Sequence, residues 1–402
     1  MLFWFARVFA MLARQMVAVA VGWQVYALTG SALDLGFVGL AQFLPSFVLV
    51  LVAGHVADHF DRRRVVQACM LVEACAALAL CIGSAQGRID APAIFALVFV
   101  IGAARAFEMP TMQAIVPTLV PEPLLARAIA ATASASQTAI IAGPALGGLL
   151  YVAGPGIVYG TSAVLFALTG VTVHFVQTRR AAPHVAPARL SSVLDGIRFI
   201  RSRPAVLGAI SLDMFAVLLG GATALLPIYA RDILHTGPWG LGLLRSATAV
   251  GALGTALWLA RHPLRGNAGR RMFAAVALFG VATIVFGISR WFALSIVALI
   301  VLGGSDMVSV VVRQSLVQLW TPDHMRGRVS AVNTLFIGTS NQLGEFESGV
   351  TAAWLGVVPS VIVGGVGTLA IVLLWMRLFP ALVRVDQLEA SAARAAPRPH
   401  GQ

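Results

Sequence analysis

The sequence predicts an all-α membrane protein with twelve transmembrane helices, arranged as two pseudo-symmetric six-helix bundles. Hydrophobic residues make up 59% of the 402 residues and charged residues 11%, less than half of the ~25% found in an average soluble domain. Apolar runs of about 20 residues, the length that crosses the hydrocarbon core, recur along the whole chain. The two halves of the chain also carry matching motifs at one fixed spacing.

Breaks at glycine, proline and charged residues divide the apolar runs into predicted spans. The twelve spans cover residues 7–29, 34–56, 65–86, 91–112, 127–152, 155–176, 204–228, 239–260, 271–288, 291–313, 329–355 and 358–379. So many spans argue against a soluble protein with a large core. The predicted domains are an N-terminal six-helix bundle (1–176), a cytoplasmic linker (177–203), a C-terminal six-helix bundle (204–380) and a cytoplasmic tail (381–402).

The predicted linker ends in a short amphipathic pattern. Val193, Ile197 and Ile200 share one helical face, whereas Arg198 and Arg201 lie among the polar positions. This pattern predicts a short helix that lies on the inner leaflet of the membrane.

The arginines are concentrated in alternate loops. All 28 basic residues are arginine, and the loops on one side hold only Arg88, Arg231 and Arg290. Because positively charged loops stay in the cytoplasm, both termini are predicted to be cytoplasmic. The same distribution argues that the formal net charge of +12 does not indicate a nucleic-acid partner.

An internal repeat relates the two halves at a spacing of 201 residues, as in 303 − 102 = 201. The matching pairs are Gly102 with Gly303, Gln113 with Gln314, Pro121 with Pro322, Arg127 with Arg328, Gly143 with Gly344 and Gly148 with Gly349. Two parallel six-span repeats imply a pseudo-two-fold axis along the membrane normal. Such halves rock about a central site and expose it to each side in turn.

The stretch "GHVADHFDRRRVV", residues 54–66, lies between spans 2 and 3 and resembles the signature loop of the major facilitator superfamily. The residues that carry the resemblance are Gly54, Asp58, Asp61, Arg62, Arg63 and Arg64. The family often has glycine where this chain has Asp61. The corresponding loop of the second half has no aspartate, so a charge-based latch would be one-sided. The alternative interpretation is a basic loop that only fixes topology.

The stretch "GPALGG" on span 5 resembles the antiporter motif of drug-exporting members of that superfamily. Its residues are Gly143, Pro144, Gly147 and Gly148. The glycines are expected to flatten one helix face for close packing, and the proline removes a backbone donor. Two upstream glycines of the motif are replaced by alanine, so a helix contact without meaning for transport remains the alternative.

Across nearly the whole chain, "ALTGSALDLG", "GHVADHFDRRR" and "TPDHMRGRVSAVNTLFIG" are similar to the bacterial drug and siderophore efflux branch that contains the enterobactin exporter. The resemblance implies an exporter in the bacterial inner (cell) membrane that is driven by the proton gradient and needs no cofactor. It also implies that spans 1, 4, 7 and 10 line a cavity. The expected partners are a small-molecule substrate and the lipid bilayer, and the chain is expected to be monomeric.

Other functions are less well supported by the sequence. The chain has no lysine and no Walker loop, and no Ser/His or HExxH pattern occurs, so we predict that it is not an enzyme. Nothing in it suggests a metal site. A solute importer on the same fold, and a membrane assembly or sensor component that transports nothing, remain alternatives.

Three acidic residues within spans are candidates for proton or substrate coupling. Asp213 lies on span 7 without a partner one helical turn away, and such a carboxylate tends to bind a proton or a cation. Its alternative role is a structural hydrogen-bond acceptor. Glu345 and Glu347 lie on span 11, two residues apart and therefore on different helix faces. Glu345 is favoured because it occupies the repeat position of Pro144.

Four further charges are gating candidates. Arg105 and Asp306 are repeat mates with opposite charges. The pseudo-two-fold symmetry places them at the same depth in the membrane. They are expected to form a pair across the cytoplasmic mouth, or else local pairs in which Arg105 meets Glu108 and Asp306 meets Arg313. Two other charges have no predicted role in gating: Arg14 is expected either to snorkel or to face the cavity, and Glu73 is expected to snorkel.

Overall fold

A computed structural model describes residues 1–176, 190–264 and 266–386. In the first part of the chain the helices are α1 (Leu2–Thr29), α2 (Ala32–His59), α3 (Arg62–Ala85), α4 (Ala91–Leu119), α5 (Leu125–Tyr151) and α6 (Pro155–His174). In the remainder they are α7 (Leu190–Ser202), α8 (Pro204–Leu219), α9 (Leu226–Ile228), α10 (Gly237–Arg261), α11 (Ala268–Ile288), α12 (Phe292–Leu319), α13 (Asp323–Leu355), α14 (Val357–Leu378) and α15 (Pro380–Val383). The described residues form no strand, which confirms the predicted all-α fold.

Each of the twelve predicted spans coincides with helical structure. Ten segments of the described chain are long and apolar enough to cross a membrane. The other two predicted spans are α5 and α13, which have 27 and 33 residues and are not among those ten segments. Their length still exceeds the ~20 residues needed to cross the hydrocarbon core. The count of twelve is therefore consistent with the structure.

Several helix ends are fixed by residues that the sequence places there. Gly30 ends α1 in the left-handed conformation, with φ of 63°, and donates its N–H to the Tyr26 carbonyl. Ser31, Asp61 and Asp90 cap the starts of α2, α3 and α4 by accepting a backbone N–H. Each such cap stabilises a helix start by about 1 kcal/mol.

The predicted span 204–228 is interrupted, which the apolar pattern alone did not predict. Helix α8 ends at Leu219, and after Gly220 and Gly221 the chain continues as a 3₁₀ turn (Ala222–Leu225), α9 and a π turn (Tyr229–Ile233). A Cβ on Gly221 would lie 2.5 Å from the Gly344 carbonyl oxygen. The glycines therefore permit a close approach of two backbones and end the helix at the same point.

The described residues cluster into two compact units. The first comprises residues 1–176, 223–249 and 349–357, and the second comprises 190–222, 250–264, 266–348 and 358–386. These packing units do not follow the predicted domain boundaries at every point. The predicted domains derive from the repeat and stay a prediction, with residues 177–189 of the linker and 387–402 of the tail outside the described residues.

Within the first unit, α1 packs against α5 and α6, α3 against α4 and α6, and α2 against α4. Fully buried large side chains such as Met16, Met70, Ile94 and Phe166 fill these contacts. The second unit has a core in which α8, α11, α12 and α14 contribute Leu212, Met272, Leu316 and Val372, among others.

Helix α7 has the predicted amphipathic pattern, and apolar residues on it contact other helices of the protein. Ile200 is 3% exposed and packs against Val206 on α8, Val317 on α12 and Val329 on α13. Asp195 accepts a hydrogen bond of 3.1 Å from Arg328. These contacts join the C-terminal part of α7 to α8, α12 and α13, and its predicted position on the inner leaflet stays a prediction.

Candidate functional site

A buried ion pair joins two helices of the second unit. Asp213 on α8 is 4% exposed, Arg313 on α12 is 2% exposed, and the guanidinium donates to the carboxylate. Ser309, also on α12, donates its hydroxyl to the other oxygen of Asp213 at 3.1 Å. The partners of Asp213 therefore come from another helix, so the residues one turn away on its own helix do not reveal them.

A small cavity of about 10 Å³, room for about one water molecule, lies beside this pair. It is lined by Asp213, Ala216, Val217, Val276, Phe279, Asp306 and Ser309. Two carboxylates around one guanidinium leave an excess of negative charge when all three groups are ionised. Since an uncompensated charge is costly away from water, the cavity favours the binding of a proton or a cationic group. Apart from Ser309, the other residues that line the cavity are apolar.

Three of the polar residues in this site share one face of α12. Asp306, Ser309 and Arg313 are spaced three and four residues apart, so they lie above one another along the helix. The predicted local pair of Asp306 with Arg313 is replaced by the pair of Arg313 with Asp213. Asp306 instead lines the cavity.

A second buried charge cluster lies in the first unit. Arg14 on α1 donates to both oxygens of Glu108 on α4, at 2.7 and 3.2 Å. Its guanidinium also lies 3.5 Å from Glu73 on α3. Glu73 is 0% exposed and Glu108 is 3% exposed. We name Arg14, Glu73 and Glu108 the α1–α3–α4 cluster.

This cluster differs from the interpretation of the same charges in the sequence. Glu108, predicted as a partner of Arg105, forms an ion pair with Arg14. Glu73 does not snorkel, because its side chain is enclosed by protein. Arg105 is exposed on α4. Its predicted pair with Asp306 joins residues of different units and stays a prediction.

The signature loop fixes the start of α3 within the first unit. Asp61 accepts the N–H of Arg63 at 2.9 Å and so caps the helix. Arg62 donates to the carbonyl of Ala114 on α4 at 2.9 Å, and Arg63 donates to the carbonyl of Val176 at 3.2 Å. The loop thus joins α3 to two neighbouring segments. Arg64 is exposed. The side chain of Asp58, and the surroundings of Gly54, lie outside what the structure describes.

The glycines of the "GPALGG" stretch are contact points between helices, as predicted. A Cβ on Gly143 would lie 2.5 Å from Cβ of Gln15 on α1, and one on Gly147 would lie 2.9 Å from Cα of Met16. A Cβ on Gly148 would lie 2.9 Å from Cα of Gly242 on α10. Pro144 is buried inside α5, and the helix continues through it. The meaning of the motif for transport stays a prediction.

The repeat counterparts of these glycines make corresponding contacts on α13. A Cβ on Gly344 would lie 2.9 Å from the Val217 carbonyl oxygen on α8, within the second unit. A Cβ on Gly349 would lie 2.8 Å from Cα of Gly36 on α2, within the first unit. Glu345 and Glu347 are half-buried on the same helix and are not among the described residues that line the cavity.

Comparison with known proteins agrees with this architecture. A family model described as transmembrane secretion effector matches residues 1–400. The enterobactin exporter EntS of Citrobacter koseri is 26% identical over 384 residues, which cover 95% of this chain and 92% of the relative. The protein of the same name from Escherichia coli O139:H28 is 25% identical over the same shares of both chains.

Solved transporter structures share the fold at low identity. A bacterial homologue of the human lysosomal transporter Spinster aligns with a TM-score of 0.76 and 10% identity, over 99% of this chain and 98% of that one. A D-xylose–proton symporter aligns with a TM-score of 0.72 and 11% identity, over 94% and 97%. These likenesses establish the fold alone.

Proposed function

Since this chain belongs to the transmembrane secretion effector family, whose members are transporters of the major facilitator fold, we propose that it exports hydrophobic or amphipathic small molecules in exchange for protons. The observation that carries the direction is the similarity, over 95% of the chain, to relatives named as exporters of the siderophore enterobactin. Siderophores and drug-like compounds are therefore the first cargo classes to test.

The second-unit cavity supports coupling to protons. When Asp213 accepts a proton, its attraction to Arg313 weakens, and the guanidinium is free to move toward Asp306 on its own helix. Such a rearrangement links protonation to the contact between α8 and α12, which are spans 7 and 10. A coupling device needs two states of this kind that differ by a few kcal/mol. Asp213 and Asp306 are thus the leading coupling residues, and Glu345 and Glu347 remain candidates.

The walls of the same cavity favour apolar cargo. Ala216, Val217, Val276 and Phe279 supply an apolar surface beside the two carboxylates. This cavity is far smaller than the ~300–1,000 Å³ of a ligand pocket, so we propose that it widens in another state of the transport cycle to admit an apolar body with a cationic or hydrogen-bond-donating group.

The location, energy source and oligomeric state that we expect follow from the same proposal. The chain is a multi-span membrane protein, and we place it in the bacterial inner membrane with both termini in the cytoplasm, on the evidence of its arginine distribution. The proton gradient supplies the energy, no cofactor is required, and the transporting form is a monomer.

Transport in everted membrane vesicles tests the proposal. Vesicles that contain the full chain should accumulate a lipophilic fluorescent dye or a siderophore only while a proton gradient is maintained, and a protonophore should abolish the accumulation. Vesicles with Asp213→Asn should lose gradient-driven accumulation, whereas Ser305→Ala, a change on α12 outside the cavity, should keep it. Gradient-independent flux would contradict antiport, and gradient-driven loss of cargo from the vesicles would identify an importer.

A further inference from the structure

Glu73 lies at the middle of its membrane-spanning helix and is fully enclosed. It is 11 residues from the first residue of α3 and 12 from the last, which places it about 17 Å from either end. Its side chain is 0% exposed. One carboxylate oxygen lies 3.5 Å from Arg14, and the other, Oε1, is buried and has no hydrogen-bond partner among the described residues.

The positive charge of Arg14 is shared unevenly between Glu108 and Glu73. Arg14 is engaged by Glu108 through two hydrogen bonds, the shorter of 2.7 Å, and reaches Glu73 only at 3.5 Å. The other titratable or charged groups whose fields reach the cluster are Arg7 on α1, Cys69 on α3 and Arg105 on α4. Arg7 is held by Ser136 at 3.0 Å, and Arg105 is exposed. Helix α6 carries no acidic or basic side chain before His174 at its end, and α2 carries them only near its ends.

An ionised Glu73 would therefore be a buried anion with one oxygen that no donor satisfies. Burying such an anion costs far more than burying the neutral acid. We propose that Glu73 binds a proton and that the α1–α3–α4 cluster is a proton-binding site in the first half of the chain. This site is separate from the carboxylates of the second-unit cavity. The ligand is the proton itself, held on Oε1, while Oε2 faces the guanidinium.

The geometry also provides a way to release this proton. Both carboxylates reach the same guanidinium nitrogen, Nη1 of Arg14, so a small movement of Arg14 from Glu108 toward Glu73 would stabilise the ionised form of Glu73 and expel its proton. Arg14 lies on α1, which packs against α5 and α6, so a shift of α1 would move it. The use of this proton in transport rests on the proposed function, whereas the presence of the proton does not.

Infrared spectroscopy of the full chain in lipid vesicles tests the proposal. The carbonyl stretch of protonated carboxyl groups should be present at neutral pH and should lose one component in Glu73→Gln. The same component should persist in Asp213→Asn. If the Glu73→Gln spectrum keeps the whole protonated-carboxyl signal, Glu73 is ionised and the proposal is wrong.

Thermal stability gives a second, independent measurement. The amide in Glu73→Gln imitates the protonated acid, so its Tm should match that of the unmodified chain. Glu108→Gln removes the nearer partner of Arg14 and should lower Tm. An equal loss of Tm in both variants would show that Glu73 acts as a charged partner of Arg14, which overturns the proposal. A protonated Glu73 in a chain without gradient-driven transport would instead contradict only the proposed antiport.

Discussion

Glu108 and Ser309 are repeat mates, since 309 − 108 = 201. Glu108 is the acid of the buried ion pair in its half, whereas Ser309 contacts the acid of the buried ion pair in the other half. Glu108 accepts two hydrogen bonds from Arg14, and Ser309 donates one to Asp213. Both ion pairs join the first and fourth spans of a half, with opposite polarity. The first half has arginine on its first span, whereas the second half has arginine on its fourth.

The pair of Asp213 with Arg313 should be energetically coupled. Asp213→Asn or Arg313→Gln alone leaves one buried partner uncompensated, and we expect each to lower the free energy of unfolding by about 3 kcal/mol or more. The double variant should lose clearly less than the sum of the two. Denaturant unfolding of all four proteins in the same detergent measures the coupling free energy. Additive losses would contradict a direct pair.

Asp306 should matter for transport more than for stability. It lines the cavity, whereas the direct partner of Arg313 is Asp213. Asp306→Asn removes the excess negative charge and should reduce gradient-driven cargo accumulation by at least tenfold, equivalent to about 1.4 kcal/mol. Its Tm should remain close to that of the unmodified chain. Normal accumulation in this variant would remove Asp306 from the coupling site.

Adding a methyl group should destabilise the protein at Gly148, which is in tight contact with a neighbouring backbone, but not at Gly254. A Cβ on Gly148 would lie 2.4 Å from the Pro238 carbonyl oxygen, while one on Gly254 would have no atom of the described residues within 4 Å. We expect Gly148→Ala to destabilise the chain by about 1–3 kcal/mol, because a backbone has to shift. Gly254→Ala, the matched control within α10, should be neutral or stabilise it by up to about 1 kcal/mol. Thermal unfolding of the two variants compares them directly, and equal Tm values would exclude a tight contact at Gly148.

Two substitutions of Asp61, in the signature loop, distinguish its role as a helix cap from the role of its negative charge. Asp61→Ala removes the acceptor for the Arg63 N–H and should cost about 1 kcal/mol, whereas Asp61→Asn keeps a capping oxygen and should cost little. Unfolding free energies of the two variants distinguish these roles. If Asp61→Asn is as damaging as Asp61→Ala, the negative charge of Asp61 acts in addition to the cap.

The spans were predictable because a long apolar run needs no partner to be recognised, and all twelve coincide with helices. The charge clusters were less accessible, because Arg14 lies 59 residues from Glu73 and 94 from Glu108. Spacing along one helix reveals neighbours on that helix only, so it suggested pairs such as Arg105 with Glu108. The single-face spacing of Asp306, Ser309 and Arg313 was a usable signal for the cavity. The paired glycines at 220 and 221 were the corresponding signal for the break in span 7.

Glu345 and Glu347 test whether the repeat predicts function as well as packing. Glu345 occupies the repeat position of Pro144 and Glu347 that of Leu146, and both are half-buried on α13. We expect Glu345→Gln to reduce gradient-driven accumulation in everted vesicles more than Glu347→Gln. The two substitutions are chemically identical and two residues apart, so each serves as the control for the other. Equal tolerance of both would make these carboxylates structural, and a larger loss in Glu347→Gln would assign coupling to the other face of α13.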